Sequence, residues 1–187
     1  MKVAAVILAA GASTRLGQPK QLVTLAGERL LERAVRVARE AGCVPIIAVL
    51  GSSADKILAE CQLDAVTIAI NLDWPEGMAS SIRSGIREIP ATSGFAILMT
   101  CDQPAVTAAH LRQLIEACGE TPVASAYAGR RGVPACFPAK SFGELLLLRG
   151  DEGARRLLDS ATAIDLAGGE LDIDTPFTLE TARAAYS

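Results

Sequence analysis

Short apolar runs alternate with helix-spaced segments along most of this chain. Val3 to Leu8 is rich in β-branched residues and apolar at successive positions. That is the pattern of a strand buried on both faces. From Leu30 to Ala41 the period changes. Leu30, Leu31, Ala34, Val35 and Ala38 share one helical face, Arg33, Arg36 and Arg39 lie elsewhere, and Gly42 supplies a stop. The same alternation predicts strands at Ile46–Leu50, Val66–Ile70, Phe95–Met99 and Val123–Tyr127, with helices at Ala54–Cys61, Met78–Arg87 and Thr107–Cys118. Thr107 is the expected N-cap of the last of these. Beyond residue 127 the pattern weakens. It allows a strand at Arg131–Phe137, helices at Ser141–Leu148, Gly153–Leu158 and Thr178–Ala185, and a short extended piece at Asp172–Asp174. Strands alternating with helices predict a three-layer, Rossmann-like α/β domain around a mostly parallel sheet. In such sheets ligands sit beyond the carboxyl ends of the strands. The loops 9–20, 71–77 and 100–105 are therefore the places to look for chemistry.

A length of 187 residues, half of them apolar, suits one domain, 1–187, with a substantial core. A net charge of −3 argues against a general nucleic-acid binder, but one local basic cluster can still hold a small anion. Five scattered cysteines (Cys43, Cys61, Cys101, Cys118 and Cys136), without a CxxC pair and with His110 as the one histidine, give no zinc or disulfide framework. Free thiols in a reducing cytoplasm are expected. The start Met1-Lys2 followed by apolar residues imitates a secretory leader, but the run is short and Arg15 and Lys20 follow closely. No segment reaches the ~18 apolar residues of a membrane span.

After the first strand comes Leu8-Ala9-Ala10-Gly11-Ala12-Ser13-Thr14-Arg15-Leu16-Gly17-Gln18-Pro19-Lys20. Small residues let backbone N–H groups approach an anion, and Arg15 and Lys20 add positive charge. A triphosphate cradle fits this composition; so does an ordinary turn with two solvated charges. Neither the Walker A spacing nor GxGxxG is present. Asp102 follows the fourth strand, where its carboxylate is expected to emerge at the crevice and not in the core. There it can hold a hard cation, or simply shape a turn. Asp172 and Asp174, two apart in an extended piece, point to one face and offer a second carboxylate contribution. The competing reading is a helix start at Asp174-Thr175-Pro176.

The loop LAAGxSxRxGxPK resembles the signature of nucleotidyltransferases that activate sugars, isoprenoid precursors and molybdopterin. Its best likeness is the molybdenum cofactor cytidylyltransferase group of the MobA-like family. Further pieces in the same order are Trp74-Pro75-Glu76-Gly77-Met78-Ala79-Ser80-Ser81-Ile82, Cys101-Asp102-Gln103-Pro104, Gly150-Asp151-Glu152-Gly153-Ala154-Arg155 and Asp172-Ile173-Asp174-Thr175-Pro176. The resemblance implies a nucleotide-diphospho-sugar transferase type of fold. It implies Mg²⁺ held by Asp102 with Asp172 and Asp174, and charge neutralisation by Arg15 and Lys20 beside Asp102. Leu8, Ala9, Ala10, Gly11, Ser13, Gly17, Gly77 and Ser81 are then expected around the nucleotide. Ala10 and Pro19 stand where guanylyl relatives carry other residues, which points to CTP. The implied acceptor is the phosphate of a pterin cofactor, with a molybdoenzyme as a possible recipient of the product. Two alternatives stay open: transfer to a sugar or polyol phosphate, and a carrier or insertion chaperone that binds finished molybdenum cofactor without turnover.

Some features divide between chemistry and packing. Trp74 suits a base stack or a loop anchor. His110 reads as a bystander. Arg130, Arg131 and Arg155 suit an acceptor phosphate or plain solvation. Gly132-Val133-Pro134 departs from the Gly-His-Pro common in related cytidylyltransferases, on the side expected to meet the acceptor.

Overall fold

The computed structural model describes residues 2–186. In chain order its elements are β1 Lys2–Ala9, β2 Thr24–Leu25, β3 Glu28–Arg29, α1 Leu30–Glu40, β4 Ile46–Leu50, α2 Ala54–Glu60, β5 Val66–Ile70 and α3 Met78–Arg87. They continue as β6 Ser93–Thr100, α4 Ala108–Ala117, β7 Val123–Tyr127, β8 Arg130–Pro138, α5 Phe142–Leu147, α6 Arg155–Leu158, β9 Thr162–Asp165 and α7 Pro176–Tyr186. Seven strands form one sheet in the order β5-β4-β1-β6-β8-β7-β9. β8 runs antiparallel to both its neighbours, and the other pairings are parallel. The expected mostly parallel α/β architecture is what forms. The leader-like run is β1, in the interior of the sheet; Met1, where that reading began, lies outside the described residues.

β1 shows why the run is apolar at every position. Val3, Ala5, Ile7 and Ala9 face a cluster with Leu31, Ala34, Val35 and Ala38 of α1, Ile57 of α2, and Leu111 and Leu114 of α4. Val6 and Leu8 face the opposite cluster with Ala79, Ile82 and Ile86 of α3, Leu145 of α5 and Leu158 of α6. α3 lies close to the sheet at Gly85, where a Cβ would run into the side chains of Val6 and Val49. Each fully buried Leu or Ile contributes roughly 1.5–3 kcal/mol by leaving water. These two layers hold the strand ends rigidly where the crevice opens.

A third, smaller cluster matters more for the chemistry. Leu16 of the first loop, Val23, Leu25 and Leu30 pack with Ile173, Leu179 and Ala182. The Ile173 amide also donates to the Asp102 carbonyl oxygen (3.0 Å). Thus the 172–174 segment is tied at once to the loop after β1 and to the residue after β6. Two elements were not expected from the pattern, the small β2–β3 hairpin and the edge strand β9. The five cysteines are buried and free, and among the described residues no helix is long and apolar enough to cross a membrane.

Candidate active site

Two clefts open along the carboxyl ends of β1 and β6. The first, about 550 Å³, is lined by Leu8, Ala9, Ala10, Gly11, Trp74, Gly77 and Ser81, among others. The second, about 610 Å³, is lined by Arg15, Tyr127, Arg130, Arg131, Arg155, Asp172 and Asp174, among others. Lys20, Met78, Thr100, Asp102 and Asp151 line both. The clefts therefore meet over one charged pair.

That pair is Lys20 with Asp102. The Lys20 ammonium donates to Asp102 Oδ2 at 2.5 Å and also to Asp174 Oδ1. Arg15 bonds the other oxygen of Asp174 at 2.9 Å. The Lys20 and Asp102 side chains are only 17% and 11% exposed. Burial by itself lowers the lysine pKa, but the Asp102 charge and the bonds to both carboxylates outweigh it and raise the pKa above the ordinary range. Asp102 stands at the crevice, lining both clefts, but it is buried at 8% exposure and its Oδ1 is closed off with no hydrogen-bond partner. Lys20 is not a loose loop lysine, because its backbone amide donates to Ser13 Oγ (3.1 Å) and its head group is pinned.

Ser13 and Gly17 shape the loop and do not line either cleft. Ser13 adopts a positive φ of 54°, and its carbonyl accepts from Leu16 and Gly17. Gly17, at φ 75°, closes that turn. Leu8, Ala9, Ala10 and Gly11 line the first cleft. Beneath them Gln21, 1% exposed, donates to the Ala9 and Gly11 carbonyls (2.6 and 3.3 Å) and fixes the loop from below.

Across the cleft, Gly77 sits at φ 121° against the Gly150–Asp151 backbone, where a Cβ would meet the Gly150 oxygen at 2.7 Å. Glu76 and Arg83 brace this contact. Arg83 donates to Glu76 (2.6 Å) and to the Leu148 carbonyl, while Glu76 also accepts from the Gly150 amide. The Arg83 guanidinium and that amide hold the Glu76 carboxyl down at about 2. Ser81 is buried, accepts from Asn71 Nδ2 at 3.0 Å, and lines the first cleft. Trp74 combines both readings, packing over Gly51 while lining the cleft.

Asp172 joins the second cleft, and its carboxyl is raised to about 6 by burial and by the charges of Asp102 and Asp174. Among the described residues no set of three or more Asp, Glu, His or Cys side chains is preassembled around one point. The Lys20 ammonium stands between Asp102 and Asp174 instead. The donors nevertheless suit a hard cation: oxygen only, one buried oxygen unpartnered, and crowded negative charge that a cation would relieve. Such an ion keeps several waters and takes further ligands from substrate phosphates, so two protein carboxylates suffice.

Two residues that sequence reasoning passed over complete the frame. Gln103 donates to Tyr127 Oη (3.3 Å) and to the Gly169 carbonyl (3.1 Å), and Tyr127 donates to the Val133 carbonyl (3.0 Å). Arg130 stands over the Tyr127 ring, 5.3 Å from its centre. The only hint was the Gln in Asp102-Gln103-Pro104; the tyrosine, at a strand end, gave none. His110 is structural, bonded through Nε2 to Ser125 Oγ at 2.7 Å in the buried layer beneath β7.

Residues 5–165 match the model of the MobA-like NTP transferase domain. The chain is 32% identical to nicotine blue oxidoreductase of Paenarthrobacter nicotinovorans, covering 92% of each chain. It is 33% identical to the purine catabolism protein PucB of Bacillus subtilis, over 97% of this chain and 96% of that one. Among solved structures, a mycobacterial homologue of Rv0371c from strain JC1 superposes with a TM-score of 0.87 at 34% identity, over 100% of this chain and 98% of that one. A manganese complex of Rv0371c from Mycobacterium tuberculosis superposes at 0.84 with 31% identity, over 99% and 100%.

Proposed function

Since the chain belongs to the MobA-like NTP transferase family and is a nucleotidyltransferase, we propose that it works as a single domain that transfers CMP from CTP to the phosphate of a molybdopterin-type cofactor. The observation that carries this reading is the junction of two clefts over Lys20 and Asp102. The first is walled by small residues and a tryptophan, as a nucleoside with its phosphates requires. The second presents Arg15, Arg130, Arg131 and Arg155, as an anionic acceptor requires. An acceptor phosphate oxygen forms the new bond to the α-phosphorus, the bond to the β-phosphate breaks, and pyrophosphate leaves with the electron pair. This transfer needs positioning and charge neutralisation, without a covalent nucleophile. Lys20 reaches the first cleft and neutralises the phosphates, with Arg15 beside it.

Asp102, with Asp172 or Asp174, would hold a divalent cation, Mg²⁺ or Mn²⁺, whose charge offsets that of the phosphates when bound. The manganese complex of the mycobacterial relative supports a divalent metal. Support for the pterin acceptor comes from the motif resemblance and from 28% identity to a probable molybdenum cofactor guanylyltransferase of Opitutus terrae. The preference for CTP rests on Ala10, which lines the first cleft, and Pro19. Cytoplasmic location, and delivery of the product to a molybdoenzyme, accompany this reading.

The test is direct. Purified protein is incubated with each of CTP, GTP, ATP and UTP, with Mg²⁺ or Mn²⁺, and with molybdopterin. Pyrophosphate release and the mass of the product are measured. CTP-dependent release with a cytidylylated product is expected; release with GTP equal to or faster than with CTP overturns the base assignment.

A further inference from the structure

Asp102 and Asp174 are already paired without any metal. Two cations, Arg15 and Lys20, face these two carboxylates, and each cation is engaged. Asp102 Oδ2 already holds the ammonium, and Oδ1 is closed off without a partner. A dication reaching for Asp102 and Asp174 would meet the Lys20 ammonium already seated between them. Yet the ammonium is not locked in from both sides. Lys20 lines the nucleotide cleft as well as the acceptor cleft. Its backbone is fixed by Ser13, so its four-carbon stem can carry the head group from the carboxylates to a triphosphate by rotation alone.

We propose that Lys20 is the resident counter-ion of the metal carboxylates, so that the nucleotide must draw its ammonium away before a divalent cation can bind well. A triphosphate brings enough negative charge to take both Lys20 and Arg15, which leaves Asp102 and Asp174 uncompensated at the moment the cation is wanted. Binding is thereby ordered, and the free protein does not hold metal idly. The inference rests on the proposed metal role of Asp102, and its test is made without turnover.

Mn²⁺ binding to nucleotide-free protein is titrated by electron paramagnetic resonance, for wild type and for Lys20→Met. Wild type is expected to bind Mn²⁺ weakly, and Lys20→Met about tenfold or more tighter, although the same change cripples transfer. In Lys20→Met/Asp102→Asn the gain should vanish. With a non-reactive CTP analogue, wild type should tighten its hold on Mn²⁺ by a similar factor. Equal or weaker Mn²⁺ binding by Lys20→Met overturns the proposal, as does a gain that survives loss of Asp102. If Lys20→Met does not fold, Lys20→Gln, which keeps a donor without the charge, is read by the same criteria. Absence of pyrophosphate release with any NTP would defeat the proposed transfer reaction and leave this binding result standing.

Discussion

Asp172→Asn is expected to make the metal-free protein more stable. The Asp172 carboxyl is raised to about 6 by burial, then by Asp102 and Asp174, against an ordinary aspartate near 3.9. The sign follows from proton linkage. Between about pH 4 and pH 6 the folded form holds a proton that the unfolded chain has released, so stability falls as pH rises through this window. Above pH 6 the full penalty is present. Roughly two pH units at 1.36 kcal/mol each give about 3 kcal/mol, which partial exposure reduces to about 1–2. For a domain of this size 1 kcal/mol moves Tm by roughly 2–4 °C. Asn at 172 should therefore raise Tm by about 3–6 °C at pH 7.5 in EDTA. At pH 5 the gain should be roughly half as large, because the native aspartate is then mostly protonated in the fold. Thermal melts of both proteins at the two pH values measure this. Adding Mn²⁺ with CTP should favour wild type and narrow or invert the difference. An unchanged or lower Tm at pH 7.5, or a gain independent of pH, would refute the reasoning that these carboxylates crowd one another.

Other substitutions separate the parts of the site. Lys20→Ala should lose roughly 10²–10³ in turnover, as loss of one charge contact in a dry site does; near-normal kcat would remove the loop from catalysis. Asp102→Asn should collapse metal-dependent turnover and, because it breaks a largely buried ion pair, also lower Tm by an amount corresponding to about 1–3 kcal/mol, since Lys20 keeps Asp174. Gly77→Ala should raise the KM for nucleotide about tenfold, because its Cβ displaces the Gly150 backbone; unchanged KM would show that the wall is soft. Changing Arg130 and Arg131 together to Gln should raise the acceptor KM by roughly 10–100-fold, from lost charge-assisted bonds, with the CTP KM nearly unchanged; equal effects on both would deny the division into two clefts.

Much of this molecule can be read from its pattern, for physical reasons. Strands β1, β4 and β6 are apolar at nearly every position because helices cover both faces of the sheet, and such runs stand out. Helix α4 starts where Thr107 caps it, its side chain accepting from the His110 amide. β9 escaped because Thr162–Asp165 lies at a sheet edge, mostly exposed, and so carries neither an apolar run nor an alternation. The hairpin of β2 and β3 is too short to show a period. At the site, the loop after β1 and Asp102 were legible as chemistry at strand ends. Their joining was not: Lys20 and Asp102 lie 82 positions apart, and an ion pair leaves no periodic trace. For the same reason a buried Asp102 was unforeseen. A carboxylate is expected to face water until its partner is known. Gln103 and Tyr127 act through single hydrogen bonds between distant segments, which composition does not encode.

The hydrogen bond from Ile173 to Asp102 sets an order in time as well as in space. By Asp165 all seven strands of the main sheet have been synthesised, and the loop 9–20 with them. Asp172 and Asp174 leave the ribosome later, and only then can Ile173 reach the Asp102 carbonyl and Leu179 join Leu16. A nascent chain thus carries its sheet before it carries its second carboxylate face. Cleavage between residues 166 and 171 would leave all seven strands of the sheet on one fragment and the two later carboxylates on the other.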